Sequence, residues 1–203
     1  MHQQRTKPLI ATSILLLAIL AISGIHPYDR PTWLLEVGPV IIALPILWFS
    51  YRQFPLTTLL YICIFAHALV LILGGTYTYA RVPLGFEIAQ MFGLERNPYD
   101  KIGHFFQGLV PALVAREILI RGLYVRGQKM LIFIVLCIVL AVSASYELIE
   151  WLAALMLGGG SVEFLGTQGD PWDAQSDMAY ALTGGIAGLL LFSRMQDRQI
   201  RQL

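Results

Sequence analysis

Charged residues are scarce in this 203-residue chain. Asp, Glu, Lys and Arg make up only 13% of it, while 57% is hydrophobic. A soluble domain has about 25% charged residues. The few charges lie mostly at the ends of long apolar runs, which is typical of membrane proteins. The sequence therefore predicts membrane lipids as partners. The net charge of +1 gives no reason to expect nucleic-acid binding, and protein partners are left open.

Cysteine, strand patterns and catalytic motifs are also scarce or missing. The two cysteines, Cys63 and Cys137, each lie within an apolar run and lack metal-ligand spacing, so we interpret them as small buried hydrophobic residues. Alternating polar and apolar residues are missing, which argues against a β-barrel. No H-E-x-x-H or nucleophile motif occurs, so no reaction class is favoured. Whether the protein is an enzyme, and which cofactor it uses, are both left open.

Long apolar runs dominate the sequence. A bilayer core of about 30 Å requires roughly 20 apolar helical residues, and six segments approach this length: 8–25, 32–49, 55–74, 103–120, 130–157 and 174–193. The first resembles a signal peptide with a possible cleavage site at Ala21-Ile22-Ser23. Its long run and the short connection after it favour an uncleaved helix. We predict an all-α polytopic membrane helix bundle of about six transmembrane helices, forming a single domain over residues 1–203.

Basic residues in the connections predict the orientation. Nine Lys and Arg residues fall on the side of both termini, Arg52 and the 121–129 loop, and four fall on the opposite side. By the positive-inside rule, both termini are cytoplasmic. The outer side then has the loops 26–31, 75–102 and 158–173. Within 75–102, an apolar face predicts either a short interfacial helix or an irregular loop; its residues are Leu84, Ile88, Met91 and Phe92.

Polar side chains of several spans converge on the outer leaflet. Glu147 lies 18 residues after Lys129, or roughly 27 Å along a helix, and shares a face with Glu150. Asp100 and His104 are one turn apart at the outer start of another span. Every carboxylate and histidine of spans two to six except Glu117 lies toward this side; the others are Glu36, His67, Asp170, Asp173 and Asp177. The pattern predicts a polar pocket that opens outward.

Simpler roles compete for several of these residues. In "NPYD" and "DPWD", Asn97 and Asp170 fit helix N-caps, with proline at N1 and Asp100 and Asp173 at N3. Glu36 and Glu147 can reach the membrane surface, and His67 can be a packing residue. Arg116, near the inner end of its span, can snorkel to the cytoplasmic surface. Gly184 and Gly188 form a G-x-x-x-G pair that favours close packing of the last span against the fourth or fifth.

The stretches "YDKIGHFFQGLVPALVARE", "SASYELIEWLAA" and "GTQGDPWDAQSDMAYALTGG" resemble the YjdF family of bacterial inner-membrane proteins. The resemblance covers essentially the whole chain. It implies a multi-pass protein of the bacterial inner (plasma) membrane. It implies no activity, because the function of that family is unknown.

A wider similarity is to VanZ-like membrane proteins, which are linked to glycopeptide-antibiotic tolerance. Asp100-Lys101-Ile102-Gly103-His104-Phe105 matches their Asp-Lys-x-x-His-Phe stretch. Glu150 replaces the Gln of their Glu-x-x-Gln, and Ala181 replaces the Asn of their Asp-x-x-x-Asn-x-x-Gly. The resemblance implies a working set of His104, Glu147 and Asp177.

Three functions fit the sequence. The first is an enzyme or binding protein that acts on a lipid-linked or periplasmic ligand. Its candidate catalytic residues, which are also its candidate metal ligands, are His104, Glu147 and Asp177. Its candidate binding residues are Asp100, Lys101, Glu150 and Asp173. The second is a scaffold whose charges form an interhelical network. The third is a transporter or a proton or cation pathway, although the interior toward the cytoplasm is apolar.

Overall fold

The computed structural model describes residues 2–157 and 168–203, and these residues form helices and connecting turns without a strand. The all-α prediction is confirmed. The helices are α1 (His2–Ser23), α2 (Arg30–Ser50), α3 (Thr58–Tyr77), a 3-10 turn (Tyr79–Arg81), α4 (Pro83–Phe92), α5 (Tyr99–Arg121), α6 (Gln128–Leu157) and α7 (Asp173–Ile200). Most of the predicted outer loop 158–173 lies outside the described residues.

Side chains ahead of α2 and α3 satisfy the free N–H groups of the first helical turn. Asp29 is the N-cap of α2 and accepts the Thr32 N–H at 2.9 Å. Thr57 is the N-cap of α3 and accepts from Leu60 N. Both residue types are favoured at N-caps for this reason. Helix α4 ends at Gly93, its C-cap, which has a left-handed conformation with φ of 64°. Glycine adopts this conformation without steric cost.

The "NPYD" and "DPWD" stretches begin their helices later than predicted. Pro98 and Trp172 occupy the N-cap positions, and neither caps through its side chain. Asn97 Oδ1 and Asp170 Oδ1 instead accept the backbone N–H two residues ahead, each at 3.0 Å. The prediction of N-caps was therefore wrong, because these short polar side chains form Asx turns that precede the helix.

Helix α5 lies at the centre of the bundle. It packs most extensively against α7 and also contacts α6 and α3, while α1 and α2 pack on α3. Thirteen of its 23 residues are buried, including four that carry a charge or an imidazole: Asp100, His104, Arg116 and Glu117. A central helix contacts protein on most sides, so it can carry polar groups that lipid would exclude.

Small residues allow α5 and α7 to approach closely. A Cβ added at Gly184 would overlap the carbonyl of Phe105, and one added at Gly108 would overlap the carbonyl of Ala181. Gly188 faces Leu109 in the same interface. The G-x-x-x-G pair thus packs α7 against α5, which is the fourth predicted span and one of the two partners predicted for it. This contact brings the polar residues of the two helices together.

The outside of the bundle is apolar. Large side chains such as Phe49, Leu155 and Leu190 are exposed on it, as expected where the surrounding solvent is lipid. Cys137 is also exposed on α6, which corrects its expected burial, whereas Cys63 is buried. Five helices, α1, α2, α3, α6 and α7, are long and apolar enough to cross a membrane. The remaining predicted span, 103–120, coincides with the less apolar α5.

Helix α4 occupies the position of the predicted interfacial helix rather than an irregular loop. Leu84, Met91 and Phe92 of its predicted apolar face are exposed, and Ile88 is half-buried. An exposed apolar face on a short helix suits the boundary of a bilayer. Its position at the outer membrane surface, like the cytoplasmic location of both termini, stays a prediction.

Candidate functional site

Histidine 104 lies in the middle of a buried group of carboxylates at one end of the bundle. Its Nε2 atom is 3.5 Å from Asp100 Oδ1, one turn earlier on α5, and 3.7 Å from Asp177 Oδ2 on α7. All three residues are buried, with 5%, 8% and 2% of His104, Asp100 and Asp177 exposed. Their donor atoms lie within 4.8 Å of one another. We call this group, with Lys101, Glu147 and Asp173, the outer cluster.

Lysine 101 joins α5 to α7 within the outer cluster. Its Nζ atom donates to Asp177 Oδ1 at 2.7 Å and to Asp173 Oδ1 at 2.9 Å, and it lies 3.8 Å from Asp100 Oδ2. One ammonium thus contacts three carboxylates. In the part of the chain that the structure describes, Asp100 Oδ2 accepts no hydrogen bond. The outer cluster therefore holds four carboxyl groups for one lysine.

The second ring nitrogen of His104 faces a different set of groups. Gln107 Oε1 accepts from Nδ1 at 2.9 Å, and Glu147 Oε1 of α6 lies 3.9 Å from the same nitrogen. Gln107 was missed from the sequence, although its place one turn after His104 was the available signal. Glu147 Oε1 is buried without a hydrogen-bond partner among the described residues. The predicted trio of His104, Glu147 and Asp177 is thus close in space, with Asp100 and Asp177 on one ring nitrogen and Glu147 on the other.

Further polar groups lie beside the outer cluster. Glu36 of α2 is 6% exposed and accepts the Tyr146 hydroxyl at 2.9 Å, so it does not reach the surface. Tyr146, next to Glu147 in sequence, was also missed. Glu150 is half-buried and close enough to Glu36 and Glu147 to interact electrostatically.

His67 stacks on Phe106 with ring centroids 6.1 Å apart, as a packing residue would. Its Nε2 atom is nevertheless buried and makes no hydrogen bond within the described chain. Tyr79, in the turn before α4, is buried against Gly74 and Gly103. Burial raises the pKa of Tyr79 well above its usual range, and the charges of Glu36 and Asp100 raise it further. These groups extend the polar region from α5 and α7 toward α2 and α3.

A cavity of about 490 Å³ borders the outer cluster on the loop side. Its lining includes Asp100, Lys101 and Asp173 from the cluster and Glu95, Arg96 and Asp170 from the loops. His104 and Asp177 lie behind this lining. The predicted open pocket is therefore a buried cluster whose outermost members border a cavity.

The loop side of this cavity carries an exposed ion pair. Arg96 Nη1 lies 3.2 Å from Asp170 Oδ2. The pKa of Asp170 is lowered, chiefly because this carboxylate accepts the Trp172 backbone N–H, and to a lesser degree by Arg96. Asp170 is thus held in its charged form at the rim of the cavity.

A second polar group, which we call the inner cluster, lies at the opposite end of α5. Fully buried Glu117 accepts from Thr57 N and Oγ1 at 2.9 and 2.8 Å, from Arg121 Nη1 at 3.0 Å and from Gln196 Nε2 at 3.2 Å. Every lone-pair direction of this carboxylate has a donor. Sequence reasoning found only Arg116 and Glu117 here and counted Arg121 as a loop charge. Thr57 and Gln196 were missed because they are neutral and lie 60 and 79 residues from Glu117.

Arginine 116 does not snorkel to the surface, which corrects the expectation. It is 2% exposed and donates to Gln196 Oε1 at 2.9 Å and to Asp197 Oδ1 at 2.6 Å. The close α5–α7 contact brings these acceptors within reach, so the guanidinium gains partners inside the bundle. Between the two clusters, the interface of the helices is apolar and includes Leu109, Leu113 and Ala181.

A helical bundle with an apolar exterior, five long apolar helices and charged clusters buried around a central helix defines a polytopic membrane protein. The family model described as "Predicted membrane protein (DUF2238)" matches residues 8–198. The chain therefore belongs to this family. It is 58% identical to the inner membrane protein YjdF of Escherichia coli (strain K12) over 198 residues, which cover 97% of this chain and 95% of that relative.

These matches establish the chain as a multi-pass inner-membrane protein and confirm the resemblance to YjdF. They do not show the wider similarity to VanZ-like proteins. No solved structure matches the chain.

Proposed function

We propose that the outer cluster is a binding or catalytic site for a lipid-linked or periplasmic ligand at the outer edge of the membrane. The observation that supports this proposal is a difference in how fully the carboxylates of the two polar clusters of α5 are hydrogen-bonded. In the inner cluster, all of the Glu117 acceptor positions are filled. In the outer cluster, Asp100 Oδ2 and Glu147 Oε1 are buried without a hydrogen-bond donor in the described part of the chain.

Unsatisfied buried acceptors are expensive to keep. Leaving such a group unpaired costs about 1–3 kcal/mol, and more when it is charged. A network that served only to hold helices together would gain by pairing its carboxylates, as the inner cluster does for Glu117. The buried atom left unpaired there, among the residues described, is the Arg116 Nε donor and not an acceptor. Retention of unpaired groups is typical of positions where a ligand or proton supplies the missing partner.

The position of the outer cluster also supports a ligand site. Asp100, Lys101 and Asp173 line the cavity of about 490 Å³, which is within the range of about 300–1,000 Å³ usual for ligand pockets. A ligand in that cavity would contact both a cation and carboxylates. His104 lies directly behind, at a position suited to general acid–base chemistry on a bound group.

A scaffold function is the second candidate, and the fully paired Glu117 carboxylate of the inner cluster favours it for that end of the bundle. A transporter or ion pathway is third. Leu109, Leu113 and Ala181 are buried between the clusters, and a pathway would require polar or water-lined positions there.

Photo-cross-linking from the cavity would separate these functions. A photoreactive amino acid is introduced at Glu95, which lines the cavity, and at Glu87 on exposed α4, which does not. After illumination of intact cells, the purified protein is analysed by mass spectrometry. We expect a small-molecule or lipid adduct at Glu95 that is absent at Glu87 and is reduced by His104→Ala.

Two results would contradict the ligand site. Adducts that are identical at the two positions would mean that the cavity samples only bulk lipid. A protein adduct specific to Glu95 would instead favour the scaffold. Variants are compared at equal membrane abundance, so that loss of an adduct is not confused with loss of folded protein.

A further inference from the structure

We infer that Asp100, His104 and Asp177 bind a divalent transition-metal ion of the Zn²⁺ class. The inference rests on the proposed function, because it assigns a ligand to the same outer cluster. The metal ligands expected from the sequence were His104, Glu147 and Asp177, and the inference replaces Glu147 with Asp100. The ion would lie between α5 and α7, where the two helices converge.

The spacing of the donor atoms is the first observation. The distances of 3.5 and 3.7 Å from His104 Nε2 to the two carboxylates exceed the usual N–H···O range of about 2.7–3.2 Å. Ligands placed about 2.0–2.2 Å from a tetrahedral Zn²⁺ ion stand about 3.3–3.6 Å from each other. These two distances are thus wide for hydrogen bonding and close to the edge length of a zinc coordination tetrahedron, and all three ligand atoms lie within 4.8 Å of one another.

The hydrogen bond on the far side of the ring is the second observation. Because Gln107 Oε1 accepts from Nδ1 at 2.9 Å, that nitrogen carries the proton. Metal ligation requires a deprotonated Nε2, and its lone pair would then face the two carboxylate oxygens. A metal ion between them would replace the Nε2 proton and form three bonds. Ligating histidines characteristically donate their other N–H in this way.

Charge supplies the third observation. Asp100, Asp173 and Asp177 surround a single ammonium, that of Lys101, and Glu147 lies on the other side of the His104 ring. Lys101 binds Asp177 through Oδ1, which leaves Oδ2 directed toward His104. Asp100 presents Oδ1 to Nε2 of the same ring, while its Oδ2 is buried without a hydrogen-bond donor among the described residues. A divalent cation held by Asp100 Oδ1 and Asp177 Oδ2 would add positive charge beside both carboxylates without displacing the lysine.

The donor set selects the type of ion. One imidazole and two carboxylates suit Zn²⁺ and similar borderline divalent ions better than Ca²⁺, which prefers oxygen ligands only. Three protein ligands leave a fourth tetrahedral position open, as in catalytic zinc sites. That position would be available to water or to a group of the ligand in the neighbouring cavity.

The test is zinc binding to purified full-length protein carrying no polyhistidine tag. The protein is stripped with a chelator and titrated with Zn²⁺ by calorimetry, and bound metal is counted by elemental mass spectrometry. We expect one ion per chain. Asp177→Asn, which preserves side-chain shape, and His104→Ala should each weaken binding by more than the about 10–100-fold that loss of an outer-shell partner causes. Helicity and elution volume confirm that each variant is folded.

His26→Ala is the matched control, because His26 is an exposed histidine in the connection between α1 and α2. It should leave binding unchanged. Co²⁺ substitution adds a second readout, since a tetrahedral site gives intense visible absorption that Asp177→Asn would abolish. Absence of stoichiometric metal, or equal binding by His104→Ala, would overturn the inference.

Failure of the metal inference is distinguishable from failure of the proposed function. A cavity-specific cross-link in metal-free protein would retain a ligand site and remove the metal. Stoichiometric, His104-dependent Zn²⁺ without a cross-link would support the metal site and count against the ligand.

Discussion

Replacing Glu117 by alanine should cause a large loss of stability. The substitution removes a fully buried carboxylate that accepts four hydrogen bonds, two from Thr57 and one each from Arg121 and Gln196. At about 1 kcal/mol net for each bond, the loss is about 4 kcal/mol. Breaking a buried ion pair by removing one partner has a similar effect of about 3–5 kcal/mol. The two values agree because both describe the loss of one acceptor by the same buried donors.

The donors differ in how well they can recover. Arg121 retains the Pro55 carbonyl at 2.6 Å and the Phe54 ring, and Gln196 retains the Leu113 carbonyl at 2.8 Å. The Thr57 N–H and hydroxyl lose their bonds to the carboxylate, so most of the loss should come from there. Thr57→Val combined with Glu117→Ala should then show a coupling of about 1–3 kcal/mol in a double-mutant cycle.

The free energy of unfolding is measured by titrating the purified protein from mild detergent into a denaturing detergent, with helicity and fluorescence as independent probes. Glu87→Ala, on exposed α4, is the control and should change stability by less than about 0.5 kcal/mol. A loss below about 1 kcal/mol for Glu117→Ala would refute the reasoning, because it would mean that water or other groups replace the carboxylate.

Three further predictions concern other parts of the molecule. Gly184→Val should prevent accumulation of folded protein, since its Cβ would overlap the Phe105 carbonyl. Gly38→Ala is the control and should be neutral or slightly stabilising, because no described atom lies within 4 Å of its added Cβ. The abundance of each variant in the membrane measures both effects. Gln107→Ala should weaken Zn²⁺ binding about 10–100-fold by freeing the imidazole, as calorimetry would show; unchanged affinity would count against the metal site. The lowered pKa of Asp170 means that its stabilising contribution is present above the ordinary aspartate pKa of about 3.9 and is lost as pH falls through the lower folded value. Asp170→Ala should therefore differ from wild type near neutral pH and converge with it in strong acid; a difference that persists in acid would contradict the assignment.

The outer cluster could be predicted from the sequence because helix geometry alone brings its members together. Counting residues along spans places His104, Glu147 and Asp177 at one depth, and charges in apolar helices are few enough to notice. The choice of partners could not be predicted in this way. Which carboxylate meets which ring nitrogen depends on how α5 is rotated against α6 and α7, and hydropathy and spacing do not specify that rotation.

The inner cluster was largely missed for a different reason. Its central contacts join Thr57, Glu117 and Gln196, which are 60 and 79 residues apart in sequence. Two of these are neutral residues that attract no attention in a hydropathy profile. Arg116 and Glu117 near a helix end resemble ordinary interfacial charges, and only tertiary packing distinguishes them. The helix starts were misplaced because Asn97 and Asp170 accept the backbone N–H two residues on, in Asx turns, instead of occupying the N-cap positions.

The charged and polar residues of α5 affect how the protein inserts into the membrane. Among the helices that the structure describes, α5 is more than 20 residues long yet is not apolar enough to count as a spanning segment. Its charges lie toward its two ends, where each opposes insertion by less than the roughly 2.5–3.5 kcal/mol that a charge at the bilayer centre costs on translocon scales, but several such charges add up. Helix α5 should therefore enter the membrane stably only together with apolar neighbours such as α6 and α7, which come after it in the chain. Truncation after residue 121 should leave α5 outside the bilayer even though its own sequence is complete.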